Sequence, residues 1–173
     1  MRFLFFCLIF FISYLHGFDL KYLQKIHSTN AKGEFIQQKH LKHFNQILQS
    51  SGEFEILDNS LIWIINFPIL QKSKITKDGI YIKTQNGWQE LKNNYDKELI
   101  LNLMTFDFDA IKEQFDTKLI GDSKQWKIIL KPKNIWLKKI FDHILISGKD
   151  RAEEMVFYEI NGDKSITKFK FNK

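Results

Sequence analysis

Between Glu53 and Phe67 the chain alternates, and then stops alternating. Phe54 and Ile56 are separated by Glu53 and Glu55, the period of two expected of a β-strand with one wet face. The next run is apolar at Leu61, Trp63, Ile65 and Phe67, and also at Ile62 and Ile64. A strand that is apolar at successive positions is expected to be covered on both sides. Asp58-Asn59-Ser60 supplies the turn between the two strands. Pro68 ends the second, because proline cannot donate to a ladder.

The same reading extends in both directions. Upstream, Leu20, Leu23 and Ile26, with Tyr22 as an optional member, approximate one stripe of an amphipathic helix. After Gly33 a strand begins with Phe35, Gln37 and Lys39 on one side. Downstream, KSKITKDGIYIKTQNGWQEL predicts two short strands around Asp78-Gly79, a hairpin signal. A further turn falls at Asn86-Gly87, before Trp88. The period then changes: Leu99, Ile100, Leu103 and Met104, followed by Phe108, Ile111 and Phe115, lie at helical spacing. One or two short helices are expected there, inserted between strands.

Strands resume with FDTKLIGD and with QWKIILKPK, where Trp126, Ile128 and Leu130 share a face and Ile129 opposes them. IFDHILISG, EEMVFYEI and SITKFKF follow, the last two joined by a turn at Asn161-Gly162. In SITKFKF, Thr167, Phe169 and Phe171 alternate with Ile166, Lys168 and Lys170. Many short strands joined mainly by hairpins predict a meandering antiparallel sheet. Strand twist accumulates across such a sheet and curls it. The concave face must then be filled by side chains, helices or a ligand. The helical segments near the start and between residues 97 and 115 are the available covers, so a half-barrel plugged by two amphipathic helices is expected.

Compartment and charge narrow the field. The chain opens MRFLFFCLIFFISYLHG: Arg2, an apolar run from Phe3 to Leu15, then a small residue before FDLK. Residues 1–17 are therefore expected to be a secretory signal peptide, with an uncleaved anchor as the alternative. Residues 18–173 would form a single domain. Cys7 lies inside the apolar run and is the only cysteine, so the processed domain would have no disulfide framework. The chain carries 26 Lys+Arg against 20 Asp+Glu, and Arg2 and Arg151 are its only arginines. A lysine-dominated surface argues against nucleic-acid partners, where the arginine fork is favoured. Lys138-Lys139 beside Trp136 fits contact with a lipid headgroup or membrane surface, with a solvated charge pair as the simpler reading.

The succession GEFIQQKHLKHFNQILQSSGEFEI, LIWIINFP, ITKDGIYI resembles the periplasmic outer-membrane lipoprotein carriers, the LolA family. The shared features are Phe35 with Gln37, Gly52-Glu53-Phe54-Glu55-Ile56, Trp63 to Pro68, Asp78-Gly79 and, downstream, Trp126 to Pro132. The resemblance runs from Gly33 to Phe171. It implies an α+β fold, an incomplete antiparallel β-barrel or half-barrel of about nine to eleven strands covered by short helices. It also implies an activity: holding lipoprotein acyl chains, or another acyl-bearing lipid, in an apolar cavity between barrel and lid, and carrying them across the periplasm toward the outer membrane. Family members place an arginine followed by proline between the strand carrying Phe54 and Ile56 and the strand carrying Trp63, where it holds the lid. This chain reads Leu57-Asp58-Asn59 there and would be a divergent member.

An acyl-binding cavity should be lined by aliphatic and aromatic side chains with few polar groups. The candidates are Phe54, Ile56, Trp63, Ile65, Ile75, Ile80, Ile82, Leu103, Met104 and Phe108; each of them serves equally as ordinary core. No catalytic residues are expected. His40 and His43 would point to opposite faces of an extended segment, with no nearby Cys, Asp or Glu to complete a metal site. No nucleophile elbow, phosphate-cradling loop or paired-histidine zinc helix occurs. The expected partners are a lipidated protein or other acyl lipid as cargo, with inner-membrane donor and outer-membrane acceptor components. No cofactor is expected, and the protein would act as a monomer. The alternative is a non-enzymatic periplasmic docking or structural protein whose closed core binds a protein partner through its surface.

Overall fold

The computed structural model describes residues 18–27, 30–57, 59–92 and 97–172. The expected signal segment, residues 1–17, and Asp58 of the first turn lie outside the described residues. In chain order the elements are α1 (Leu20–His27), β1 (Ala31–Leu41), β2 (Gln46–Leu57), β3 (Ser60–Phe67), β4 (Gln71–Ile75), β5 (Ile80–Thr84) and β6 (Gly87–Glu90). Then come α2 (Lys97–Thr105), α3 (Phe108–Gln114), β7 (Phe115–Gly121), β8 (Trp126–Pro132), α4 (Ile135–Lys138), β9 (Phe141–Gly148), β10 (Ala152–Glu159) and β11 (Lys164–Phe171).

The described strands form one antiparallel sheet of eleven strands in the order β6-β5-β4-β3-β2-β1-β11-β10-β9-β8-β7. β1 and β11 pair at its centre, with Phe35 opposite Phe169 and Gln37 opposite Thr167. β6 and β7 each pair on one side only, so the sheet curls without closing: an incomplete barrel. The insertion containing α2 and α3 joins these two edges in sequence.

Side-chain alternation sets the concave face. Phe54 and Ile56 of β2 are buried there, while Glu53 and Glu55 point to solvent. Trp126, Ile128 and Leu130 of β8 are buried together. Two apolar clusters result. One gathers β7–β10 with α3 and α1, where Leu23 is fully buried, Leu20 and Ile26 pack beside it, and Leu99 and Leu103 of α2 join it. Tyr22 stays exposed. The other gathers Phe35, Phe54, Ile56, Leu61, Ile75 and Ile80 with Leu101 of α2. One helix thus packs on both halves.

Three expectations need correction. No second layer covers the outer face of β3 among the described residues: Ile62 and Ile64 are half-buried. Ile62 lies between Glu55 and Lys74, and Ile64 between Glu53 and Lys72, so the methylene stems of charged neighbours flank them instead. β2 begins at Gln46, before the expected start, and its first residues run past the end of β3 along β1 alone. Finally, α4 stands between β8 and β9, where no element was expected. Asn134 caps it, its Oδ1 accepting from Trp136 N at 2.8 Å.

Candidate functional site

A cavity of about 540 Å³ lies between the two clusters. Leu61 and Trp63 of β3 and Ile75 of β4 form one wall. Met155 and Phe157 of β10, with Phe141 and Leu137, form the other. Gln37, Lys39, Thr167 and Phe169 of the central strands make the floor, and Leu99, Ile100, Leu103 and Met104 of α2 make the roof. The strand residues follow directly from alternation, since every second side chain of β1, β3, β10 and β11 faces the concave side. The roof follows from two adjacent i, i+4 pairs, Leu99–Leu103 and Ile100–Met104, which lie side by side on one helix.

The roof is fixed at both ends. At the start of α2, Lys97 Nζ donates to the carbonyl of Asp78 in the β4–β5 turn. Just past its end, Phe106 is buried with φ of 56°, a left-handed conformation that is unusual for a bulky residue. This places its ring edge-on to Phe108 and to Trp126 of β8, with centroids 5.5 and 6.2 Å apart. Asp107 then caps α3, its Oδ1 accepting from Ala110 N at 3.2 Å.

The floor is polar but internally bonded. Gln37 Nε2 donates to Thr167 Oγ1 at 3.1 Å, and Ser50 Oγ donates to Gln37 Oε1 at 3.5 Å. Near the β1–β2 and β10–β11 turns, Lys39 Nζ lies 3.1 Å from Glu159 Oε1. That pair spans from β1 to β10 across β11. An apolar chamber with satisfied polar groups below and a charge pair at one end suits a ligand with a long apolar part and a polar terminus.

Of the sequence-derived candidates, Trp63, Ile75, Leu103 and Met104 line this cavity. Phe54, Ile56 and Ile80 are buried in the cluster behind its wall, with Ile65 packed against them. Phe108, the first residue of α3, lies in the opposite cluster. Ile82 is half-buried opposite Ser73 and does not reach the cavity. Lining residues absent from the candidate set include Phe141, Met155 and Phe157 of the wall and Phe169 of the floor. The signal for Phe169 was its place in the β11 alternation; Leu137 and Ile140 belong to or follow the unanticipated helix α4.

Among the described residues no group of three or more His, Cys, Asp or Glu converges. His40 is the next-to-last residue of β1 and His43 lies in the 3-10 turn Lys42–Phe44. Asp122 lies in the exposed β7–β8 turn. Backbone N–H groups of Lys124 and Gln125, at 2.8 and 3.3 Å, hold its carboxyl below the usual range. No helix among the described residues is long and apolar enough to cross a membrane.

No protein-family model matches the chain, and no curated protein does. Among solved structures, the chain is similar to a DUF1329 family protein from Desulfovibrio piger, at 9% identity and a TM-score of 0.42, over 87% of this chain and 91% of that one. It is similar to a domain named for outer membrane lipoprotein sorting from Vibrio parahaemolyticus, at 6% identity and a TM-score of 0.39, over 90% and 91%. It is also similar to LprF from Mycobacterium bovis, at 11% identity and a TM-score of 0.44, over 87% and 89%.

Proposed function

We propose that the protein is a non-enzymatic carrier that shields the acyl chains of a lipidated protein or another acyl-bearing lipid, and that it works in the periplasm. The observation that carries this reading is the apolar cavity of about 540 Å³ roofed by α2, a size within the range of small-molecule sites. The sequence resemblance to lipoprotein carriers supports it independently. Burying an acyl chain gains about 0.8 kcal/mol per methylene, or roughly 12 kcal/mol gross for sixteen carbons. Association removes several kcal/mol of that through lost freedom, leaving an affinity from which cargo can still be released. Donor and acceptor components at the inner and outer membranes complete the proposed route.

Native mass spectrometry of the protein purified from its own cells tests the reading. Copurified lipid, or uptake of a fluorescent fatty acid by delipidated protein, is the expected result. A clean apo mass with no uptake overturns it in favour of a docking protein with an unoccupied core.

A further inference from the structure

We infer that the loops at one end of the half-barrel form a docking rim for an anionic lipid bilayer. Three connections meet there: the β1–β2 turn, the β10–β11 turn and the segment around α4. They are bonded to one another. Lys42 N donates to Asp163 Oδ1 at 2.9 Å, joining the first two. Ile160 N donates to the Ile140 carbonyl at 2.9 Å, joining the second to the third. The Lys42 side chain lies over Gly162, where a Cβ would stand 2.5 Å from Lys42 Cδ. The rim is therefore one surface carried by three turns.

Each turn holds an apolar side chain out to solvent. Phe44 is 72% exposed, Ile160 56%, and Ile135 and Trp136 66% and 69%. Folding alone gives no reason to place such groups outward together. Leu137, between Trp136 and Lys138, is by contrast buried in the cavity wall.

Charge selects the occupant. The rim's acids are engaged: Asp142 with His143 at 2.6 Å, Glu159 with Lys39, and Asp163 with Lys42 N and Asn161. The ammonium groups of Lys42, Lys138 and Lys139 form no ion pair among the described residues. Lys139 Nζ instead sits 4.6 Å from the Trp136 ring centroid. Tryptophan beside lysine, with aliphatic tips between, matches the headgroup layer, where the ring sits at the interface and the cation reaches lipid phosphate. A protein interface would be depleted of lysine at its centre. The cavity's Lys39–Glu159 end lies beside this rim, so docking would bring cavity and bilayer together. The inference does not rest on the cavity's cargo, because a rim can bind lipid around an empty chamber.

The test is cosedimentation of the protein, as purified from its own cells, with phosphatidylcholine vesicles with and without phosphatidylglycerol. Binding should require the anionic lipid and weaken with salt. The double variant Phe44→Glu/Trp136→Glu should bind roughly tenfold less tightly or worse. Ile120→Glu, an exposed β7 position at the opposite end, should bind as the parent does. Tryptophan quenching by brominated lipid should be seen in the parent and fall in Trp136→Phe. Equal binding of the double variant and the parent overturns the inference, as does indifference to anionic lipid. Concentration-dependent self-association lost in the double variant, without vesicle binding by the parent, also overturns it and makes the rim a contact between copies. Fatty-acid uptake is read separately, so failure of the rim and failure of the carrier reading are distinguishable.

Discussion

Trp63 of β3 and Phe35 of β1 stack across an intervening strand, their centroids 3.8 Å apart and their planes within 24°. Adjacent strands lie about 4.8 Å apart, so side chains two strands apart meet only where the strand between leaves room. Gly52 of β2 provides that room, lying opposite Phe35 in β1 and Ile65 in β3. A Cβ at this position would stand 1.8 Å from the Ile64 carbonyl oxygen. One side chain of the cavity wall is thus tied to the centre of the sheet. Gly52→Ala should destabilise the fold by about 2–3 kcal/mol, read as a lowered urea midpoint. An unchanged midpoint would mean that β3 moves away at little cost.

The cavity's occupancy is addressed from its roof. Met104 is half-buried, lines the cavity and packs against the β1–β5 cluster. Met104→Trp adds a large rigid ring where an acyl chain would lie. Uptake of a fluorescent fatty acid should fall by at least about tenfold, equivalent to about 1.4 kcal/mol. The urea midpoint should change little, since the ring enters open space instead of a packed core. Uptake equal to that of the parent would place the lipid elsewhere.

Alternation made most of the architecture legible. The faces of β2, β8 and β11 follow from Phe54 with Ile56, Trp126 with Ile128, and Thr167 with Phe169, because a period of two fixes orientation without tertiary information. The site was less legible, for a physical reason. Concave-facing residues of β2 and of β10 carry the same pattern. Which becomes core and which becomes wall depends on where α2 comes to rest. Phe54 and Ile56 fall behind the wall, whereas Met155 and Phe157 reach it. α4 was hidden because four residues carry no helical period, and its signals are local: the Asn134 cap and the single buried Leu137.

The lid's attachment takes an unusual backbone for its anchor. Phe106 bridges from the end of α2 to Trp126 with positive φ, and its side chain is buried. Phe106→Ala should cost about 3–5 kcal/mol, as large-to-small changes of buried aromatics do. Hydrogen exchange should rise first in α2 and α3, ahead of β8 and β9, because the lost contact joins the lid to the sheet. Uniform acceleration across the sheet would show that the ring supports the core as a whole. Lys97→Met tests the other end: it removes one exposed donor to the Asp78 carbonyl, and its effect should be confined to the start of α2.

At the rim end of the cavity, Lys39 and Glu159 form an ion pair, Nζ to Oε1 3.1 Å. The lysine side chain is 41% exposed, so water and salt screen the attraction and the pair is worth at most about 1 kcal/mol. Lys39→Met should therefore leave the urea midpoint nearly unchanged. If the pair closes the mouth over a bound chain, its removal should speed release of a fluorescent fatty acid by no more than about fivefold, the rate equivalent of that energy. Glu159→Gln removes the carboxylate charge from the same pair and should do the same. Molar salt, with a screening length near 3 Å, should bring the parent close to both variants. Stopped-flow release at low and high salt decides the matter. Acceleration beyond tenfold in either variant, or release by the parent that ignores salt, would mean that the side chains shape the cavity by packing and not by their charges.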